Sequence, residues 1–161
     1  MALIKSISGF RGTIGGKTND GLTPIDTVKF VSAFAAFIKE TYNKEKITIV
    51  LGRDARVSGE MVSHLVVGTL MGMGVDVIDT GLSTTPTVEV AVTEKKADAG
   101  IILTASHNPM QWNALKFLNA KGEFISASEG KRVLELAASE DFLFAEVDKL
   151  GHCISDTTTI D

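Results

Sequence analysis

Apolar and polar positions along this chain switch repeatedly between two periods. Residues 46–51 form a short β-rich run stopped by Gly52. From Ser58 the spacing changes: Val62, Leu65, Val66, Thr69 and Met73 recur at intervals of three and four, which predicts a helix ended by Gly72 and Gly74. Residues 75–78 predict a second strand, ending at Gly81. Thr85 is placed to cap a short helix whose first residue is Pro86, a position where the missing N–H costs nothing. Residues 99–104 are apolar almost throughout, as a strand covered on both faces should be.

Upstream of this block, Thr23-Pro24 opens a helix carrying Val28, Val31, Phe34, Ala35 and Ile38. Downstream, residues 114–126 read as a hairpin turning at Asn119-Ala-Lys-Gly122. Ser126 and Glu129 have capping-box spacing for a helix through Ala138. Strands alternating with helices imply right-handed βαβ crossovers. The expected fold is α/β: a three-layer α/β/α domain with a mixed, mostly parallel sheet. Residues 140–150 are expected to be a helix or a linker, and 152–161 are polar and close no unit. A domain over 1–140 and a tail or linker over 141–161 is the expected division. A boundary followed by a cut accounts for the tail, as does a frayed natural terminus.

Composition narrows the function. The chain has 161 residues, 44% hydrophobic and 22% charged, enough for one compact unit with a real core. Its net charge is −4 with no run of Lys or Arg, which argues against nucleic acid, whose binding rests on neutralising phosphates. Cys153 is the single cysteine, so no internal disulfide forms; it is expected to be a bystander in a reducing compartment. Lys5 interrupts the first apolar run, and the uncharged stretch 61–75, with His64 and three glycines, falls short of the roughly 18 apolar residues a membrane helix needs. A soluble cytoplasmic protein without a membrane partner is expected.

Polar chemistry gathers after the strands, where open parallel sheets bind ligands. Gly52-Arg-Asp-Ala-Arg56, Thr80-Gly-Leu-Ser-Thr-Thr-Pro86 and Ala105-Ser-His-Asn-Pro109 are each launched by a strand, and Ser8–Gly16 places Arg11 among glycines. Arginine forks match phosphate oxygens in pairs, and glycines let backbone N–H groups approach. A phosphate site at one sheet edge is the expectation. As plain turn punctuation, Gly52, Gly81 and Asn108-Pro109 would be explained one at a time but not together.

Thr104-Ala-Ser-His-Asn-Pro109, followed by Asn113 and Lys116, resembles the active-site serine loop of the α-D-phosphohexomutases, the phosphoglucomutase/phosphomannomutase family. Gly9-Phe-Arg-Gly12 and Gly52-Arg-Asp-Ala-Arg56 resemble the same family in the same order; Ala114 stands where the family usually has glycine. The resemblance implies an isomerase that interconverts sugar 1-phosphates and 6-phosphates through a phosphoserine and a bisphosphorylated sugar. It implies Ser106 as the phosphorylated serine, which also meets Mg²⁺ through its phosphate. Arg11, Lys116 and His107 would be the catalytic groups beside it. Asn108, Arg53 and Asn113 would bind substrate or phosphate, and Arg56 would help shape the loop. It further implies a sugar phosphate substrate and the remaining domains of a longer enzyme as partners. The acidic D-x-D-x-D metal loop of the next domain has no counterpart here, so the 161 residues alone are expected to lack mutase turnover.

Two rivals differ in class. A serine hydrolase would need Ser106 and His107 to face each other, which sequence neighbours seldom do, and no G-x-S-x-G elbow is present. A non-enzymatic phosphate- or nucleotide-binding module would need P-loop or dinucleotide spacing, which the glycines at 9–16 lack.

Overall fold

In the computed structural model, which describes residues 2–6 and 9–156, the alternating periods fold as one sheet between two helical layers. The elements are β1 Leu3–Ser6, β2 Gly9–Thr13, α1 Pro24–Tyr42, β3 Thr48–Arg53, α2 Gly59–Gly72, β4 Asp76–Leu82, α3 Thr85–Glu94, β5 Ala99–Leu103, β6 Trp112–Leu118, α4 Ala127–Ser139, a single-turn 3-10 helix at Val147–Lys149, and β7 Cys153–Ser155. The strands form one seven-stranded sheet in the order β1-β2-β6-β5-β3-β4-β7. From β5 to β7 the neighbours are parallel; β1, β2 and β6 join antiparallel. This is the mixed three-layer fold that the periodicity implied.

Capping chemistry sets the helix starts. Thr23 caps α1 in a box with Asp26: the Asp26 amide donates to Thr23 Oγ1 at 3.3 Å, and the Thr23 amide donates to Asp26 Oδ2 at 3.2 Å. Ser126 and Glu129 form the expected box on α4. The cap of α3 sits one residue earlier than the sequence suggested. Thr84, in extended conformation, accepts from the Thr87 amide, so Pro86 becomes the second helical residue, equally free of a lost hydrogen bond.

Apolar faces then decide the layers. α1, α2 and α4 cover one face of the sheet over a large core. Within it Phe10 stacks on Phe30 at 3.9 Å and Phe34 on Phe117 at 4.1 Å. α3 covers the other face over a smaller cluster of Val50, Val88, Val92, Ile102 and Leu118. β5, between the layers, is buried at every residue.

Three expectations change. β3 does not stop at Gly52; it pairs through to Arg53, opposite Leu103. The hairpin after Ala114 has a full first arm in β6 but a second arm reduced to one bridge, Leu118 to Phe124, before α4 begins. No α-helix forms over 140–150, and the polar stretch after His152 adds β7 to the sheet, parallel to β4. The last residues, 157–161, and Ser8 of the glycine-rich segment lie outside the described residues.

β7 is tied down by Asp76. Its Oδ1 accepts from the His152 amide at 2.9 Å and faces Lys46 Nζ at 3.0 Å. Partial burial alone would raise this carboxyl, but the His152 amide and the Lys46 ammonium outweigh it, and Asp76 stands below its ordinary 3.8. A carboxyl lowered on folding stabilises the folded state fully above its unfolded value and loses that contribution as pH falls through the lowered one. The His152 amide signal in an NMR pH titration is therefore expected to inflect below pH 3.8. An inflection at or above that value would contradict the pairing.

Candidate active site

Sheet order reverses at β3. The chain leaves it through α2 to reach β4 on one side and comes back through α3 to β5 on the other. Such a reversal opens a crevice at the strands' carboxyl ends. There the Asp54 amide donates to Leu103 O at 3.0 Å and the Ser83 amide to Arg53 O at 2.9 Å, so the three segments after β3, β4 and β5 are bound to one another. Gly52 is required at this edge. A Cβ there would overlap Val88 Cγ2 and lie 2.8 Å from Thr80 Oγ1, on the α3 side of the sheet.

The segment after β5 is the serine loop. Ser106 is exposed and adopts a left-handed φ of 52°, uncommon for a residue with a Cβ and frequent at functional sites. Its amide donates to Thr104 Oγ1 at 3.2 Å, and Lys116 Nζ donates to its Oγ at 3.0 Å. Lys116 reaches it from the middle of β6, between Gly9 of β2 and Ile102 of β5. Gly9 makes that register possible, because a Cβ there would overlap the Leu115 carbonyl. Arg11, on the exposed side of β2, donates to Asn108 Oδ1 at 3.4 Å. Arg11 and Ser106, exposed, and Asn108 and Lys116, half-buried, thus form one surface cluster whose only charges are two cations, suited to an anion. His107 is exposed beside Ser106 and makes no side-chain hydrogen bond among the described residues.

Not every candidate points into this cluster. Arg53 turns to the other side of the edge, against Gly59, and lines a cleft of about 490 Å³ with Glu60, His64, Asp79 and Cys153. Asn113 is fully buried; its amide donates to Ser58 Oγ at 2.8 Å and its Oδ1 accepts from the Ala114 amide, pinning the start of β6 to the start of α2. Neither side chain hydrogen-bonds to Ser106. Asp54 and Ser58 are contributors that the sequence reading passed over. The signal for Asp54 is its position two residues before Arg56, whose amide it caps in an Asx turn at 3.2 Å.

Other single residues resolve plainly. The Cys153 thiol is exposed and is raised above its ordinary value by desolvation and by the Asp79 carboxylate, which disfavours the nucleophilic thiolate. Phe30, Phe34 and Phe37 are core, and His64 lies exposed on α2. Among the described residues no helix is long and apolar enough to cross a membrane. Among the same residues no three His, Cys, Asp or Glu side chains gather to hold a metal ion. The described side chains therefore do not by themselves amount to a Mg²⁺ site.

A family model described as phosphoglucomutase/phosphomannomutase, alpha/beta/alpha domain I, matches residues 3–144. A phosphoglucomutase/phosphomannomutase of Thermococcus kodakarensis is 38% identical over 142 residues, covering 87% of this chain and 31% of that protein. A phosphoglucosamine mutase of Macrococcus caseolyticus is 39% identical over 145 residues, covering 88% and 32%. The crystal structure of a Thermus thermophilus protein assigned to the phosphomannomutases matches with a TM-score of 0.78 at 28% identity, over 96% of this chain and 33% of that one. The chain spans about one third of the length of the relatives it matches.

Proposed function

The chain belongs to the phosphoglucomutase/phosphomannomutase family, and from that premise we propose that it is the serine-bearing domain of a longer phosphohexomutase in which Ser106 carries the phosphoryl group. The observation that carries this reading is the exposed, left-handed Ser106 with Lys116 Nζ 3.0 Å from its hydroxyl.

In the proposed reaction a hydroxyl of a sugar monophosphate attacks the phosphorus of phospho-Ser106. The P–Oγ bond breaks as the new P–O bond to the sugar forms, Lys116 hands a proton to the departing Oγ, and the sugar hydroxyl releases its own proton to water. The bisphosphorylated sugar turns end for end. Ser106 Oγ then attacks its other phosphorus, passing its proton to Lys116; the P–O bond to the sugar breaks, and the departing sugar oxygen takes a proton from water as the isomeric monophosphate leaves. Phosphoryl transfer of this kind asks a protein for positioning and charge neutralisation above all. A serine phosphate brings about −1.5 to −2 charges, and Arg11 and Lys116 are the cations placed to offset them. Mg²⁺, held in the longer enzyme by ligands outside this chain and by the serine phosphate, would supply further neutralisation. His107 and Asn108 would contact the arriving sugar phosphate.

The test is incubation with a hexose 1,6-bisphosphate followed by site-mapped mass spectrometry. The expected result is one added phosphate on Ser106 and, for these 161 residues alone, no net turnover of sugar monophosphate. Bisphosphate binding without a covalent phosphate at Ser106 would instead mark a binding module.

A further inference from the structure

We propose that Arg56 is the positioning residue of the serine loop, and that it acts by gathering backbone carbonyls and not by binding phosphate. Its NH1 donates to Pro109 O at 2.8 Å and Trp112 O at 3.1 Å; its NH2 donates to Ser106 O at 2.9 Å and Asn108 O at 2.8 Å. Those four bonds use every N–H of the two terminal nitrogens. Nε faces Asp54 Oδ2 at 3.4 Å, an ion pair without hydrogen-bond geometry. The side chain is 11% exposed. The terminal N–H groups are spent on carbonyls and Nε is buried against Asp54, so no donor of the guanidinium is exposed to a ligand.

The loop needs such a clamp. Between the end of β5 at Leu103 and the start of β6 at Trp112, no residue belongs to a helix or a strand. The carbonyls that Arg56 collects would otherwise turn to water, and the left-handed backbone at Ser106 persists only where its surroundings over-determine it. Within the loop, the backbone hydrogen bonds are Asn108 N to Ala105 O and Trp112 N to Pro109 O. Asp54 completes the device: Oδ1 caps the Arg56 amide while Oδ2 faces Nε, so the carboxylate aims the arginine that aims the serine. Lysine cannot replace it. One ammonium has three N–H groups and lacks the flat fork that spans four oxygens.

The meaning of this loop for catalysis rests on the phosphohexomutase reading; the clamp itself does not. The experiment uses the full-length protein with Arg56→Lys, Arg56→Ala and Asp54→Asn. Three quantities are read: amide hydrogen exchange across 105–112, the rate at which Ser106 gains phosphate from a hexose 1,6-bisphosphate, and the affinity for inorganic phosphate. Arg56→Lys and Arg56→Ala are both expected to speed exchange in 105–112 by about tenfold or more while the core strands stay protected. Both are expected to slow Ser106 phosphorylation by about 100-fold with phosphate affinity little changed. Rescue of exchange and rate by lysine would overturn the proposal, since charge alone would then suffice. So would a large loss of phosphate affinity with exchange in the loop unchanged, because Arg56 would then be a ligand. If wild-type Ser106 takes up no phosphate, the mutase reading fails and the exchange data still decide the clamp. If the Arg56 variants lose protection everywhere, Asp54→Asn gives the same reading: faster exchange confined to 105–112 supports the clamp, and no change refutes it.

Discussion

Ser106→Ala in the full-length protein is expected to remove phosphoryl transfer, lowering mutase turnover by about 10⁴-fold or more, the scale seen when a covalent nucleophile is deleted. The loss should be purely chemical. The hydroxyl is exposed and its bond comes from Lys116, while the loop's anchors run through backbone atoms: Ser106 O to Arg56 and Ser106 N to Thr104 Oγ1. Alanine keeps each of these and tolerates the left-handed φ about as poorly as serine does, so stability should stay within about 0.5 kcal/mol of wild type. A coupled assay on sugar monophosphate, paired with a thermal melt, reads both quantities. An alanine enzyme with full turnover would remove Ser106 from the mechanism, and one that fails to fold would mean the hydroxyl is structural.

The alternation of periods was enough to place α1, α2, α4 and β5, and three of them carry a further local instruction: a capping box at Thr23 and at Ser126, and a buried apolar run at 99–103. The carboxyl-edge site was legible for a related reason. Parallel strands send their trailing segments to one side of the sheet, and Ser106 and Arg56 both lie just after such strands. The parts hidden from the sequence depend on long-range pairing. β7 has three exposed residues and no apolar face; it exists because β4 offers an open edge and Asp76 holds the His152 amide. Of the helix or linker expected over 140–150, the helix does not form, because Leu143, Val147 and Leu150, spaced for one face, find nothing to cover them: Leu143 and Val147 stay 87% and 85% exposed. Glu140 instead turns left-handed to end α4, and the Ala145 amide is spent on Gly72 O.

The Gly52-Arg-Asp-Ala-Arg56 motif illustrates the same limit at a single site. Its arginines read as a phosphate cradle, since both carry the right fork of donors. Folding separates them. Arg53 ends β3 and turns toward α2, whereas Arg56, past the Asx turn, folds back under the serine loop. The spacing D-x-R was visible; that its target would be four carbonyls and not an anion required the loop to be in place. The cations that the proposal assigns to phosphate come from β2 and β6, two antiparallel neighbours distant in sequence from β3, and their register brings Arg11 opposite Ala114 and Gly9 opposite Lys116.

Lys116 is the second residue whose loss should be severe. Lys116→Met, which keeps length and apolar stem but removes the donor, is expected to slow transfer between Ser106 and sugar by about 10²- to 10⁴-fold, the range of a positioned general acid or base. The effect should fall on one bond. When phosphate leaves Ser106 the negative charge grows on Oγ, and Lys116 Nζ is already 3.0 Å from that atom. Without it the serine oxygen is a poor leaving group, so phospho-Ser106 should become long-lived: in a single-turnover experiment its decay on adding sugar monophosphate should slow by nearly the full factor. Binding of the monophosphate should change far less, because Arg11 remains. Lys116→Arg restores charge but not reach to a single oxygen in the same geometry, and recovery should be partial. Were phospho-Ser106 to discharge as fast in Lys116→Met as in wild type, the proton would have to come from another group, and the contact between Lys116 and Ser106 would be one of packing alone.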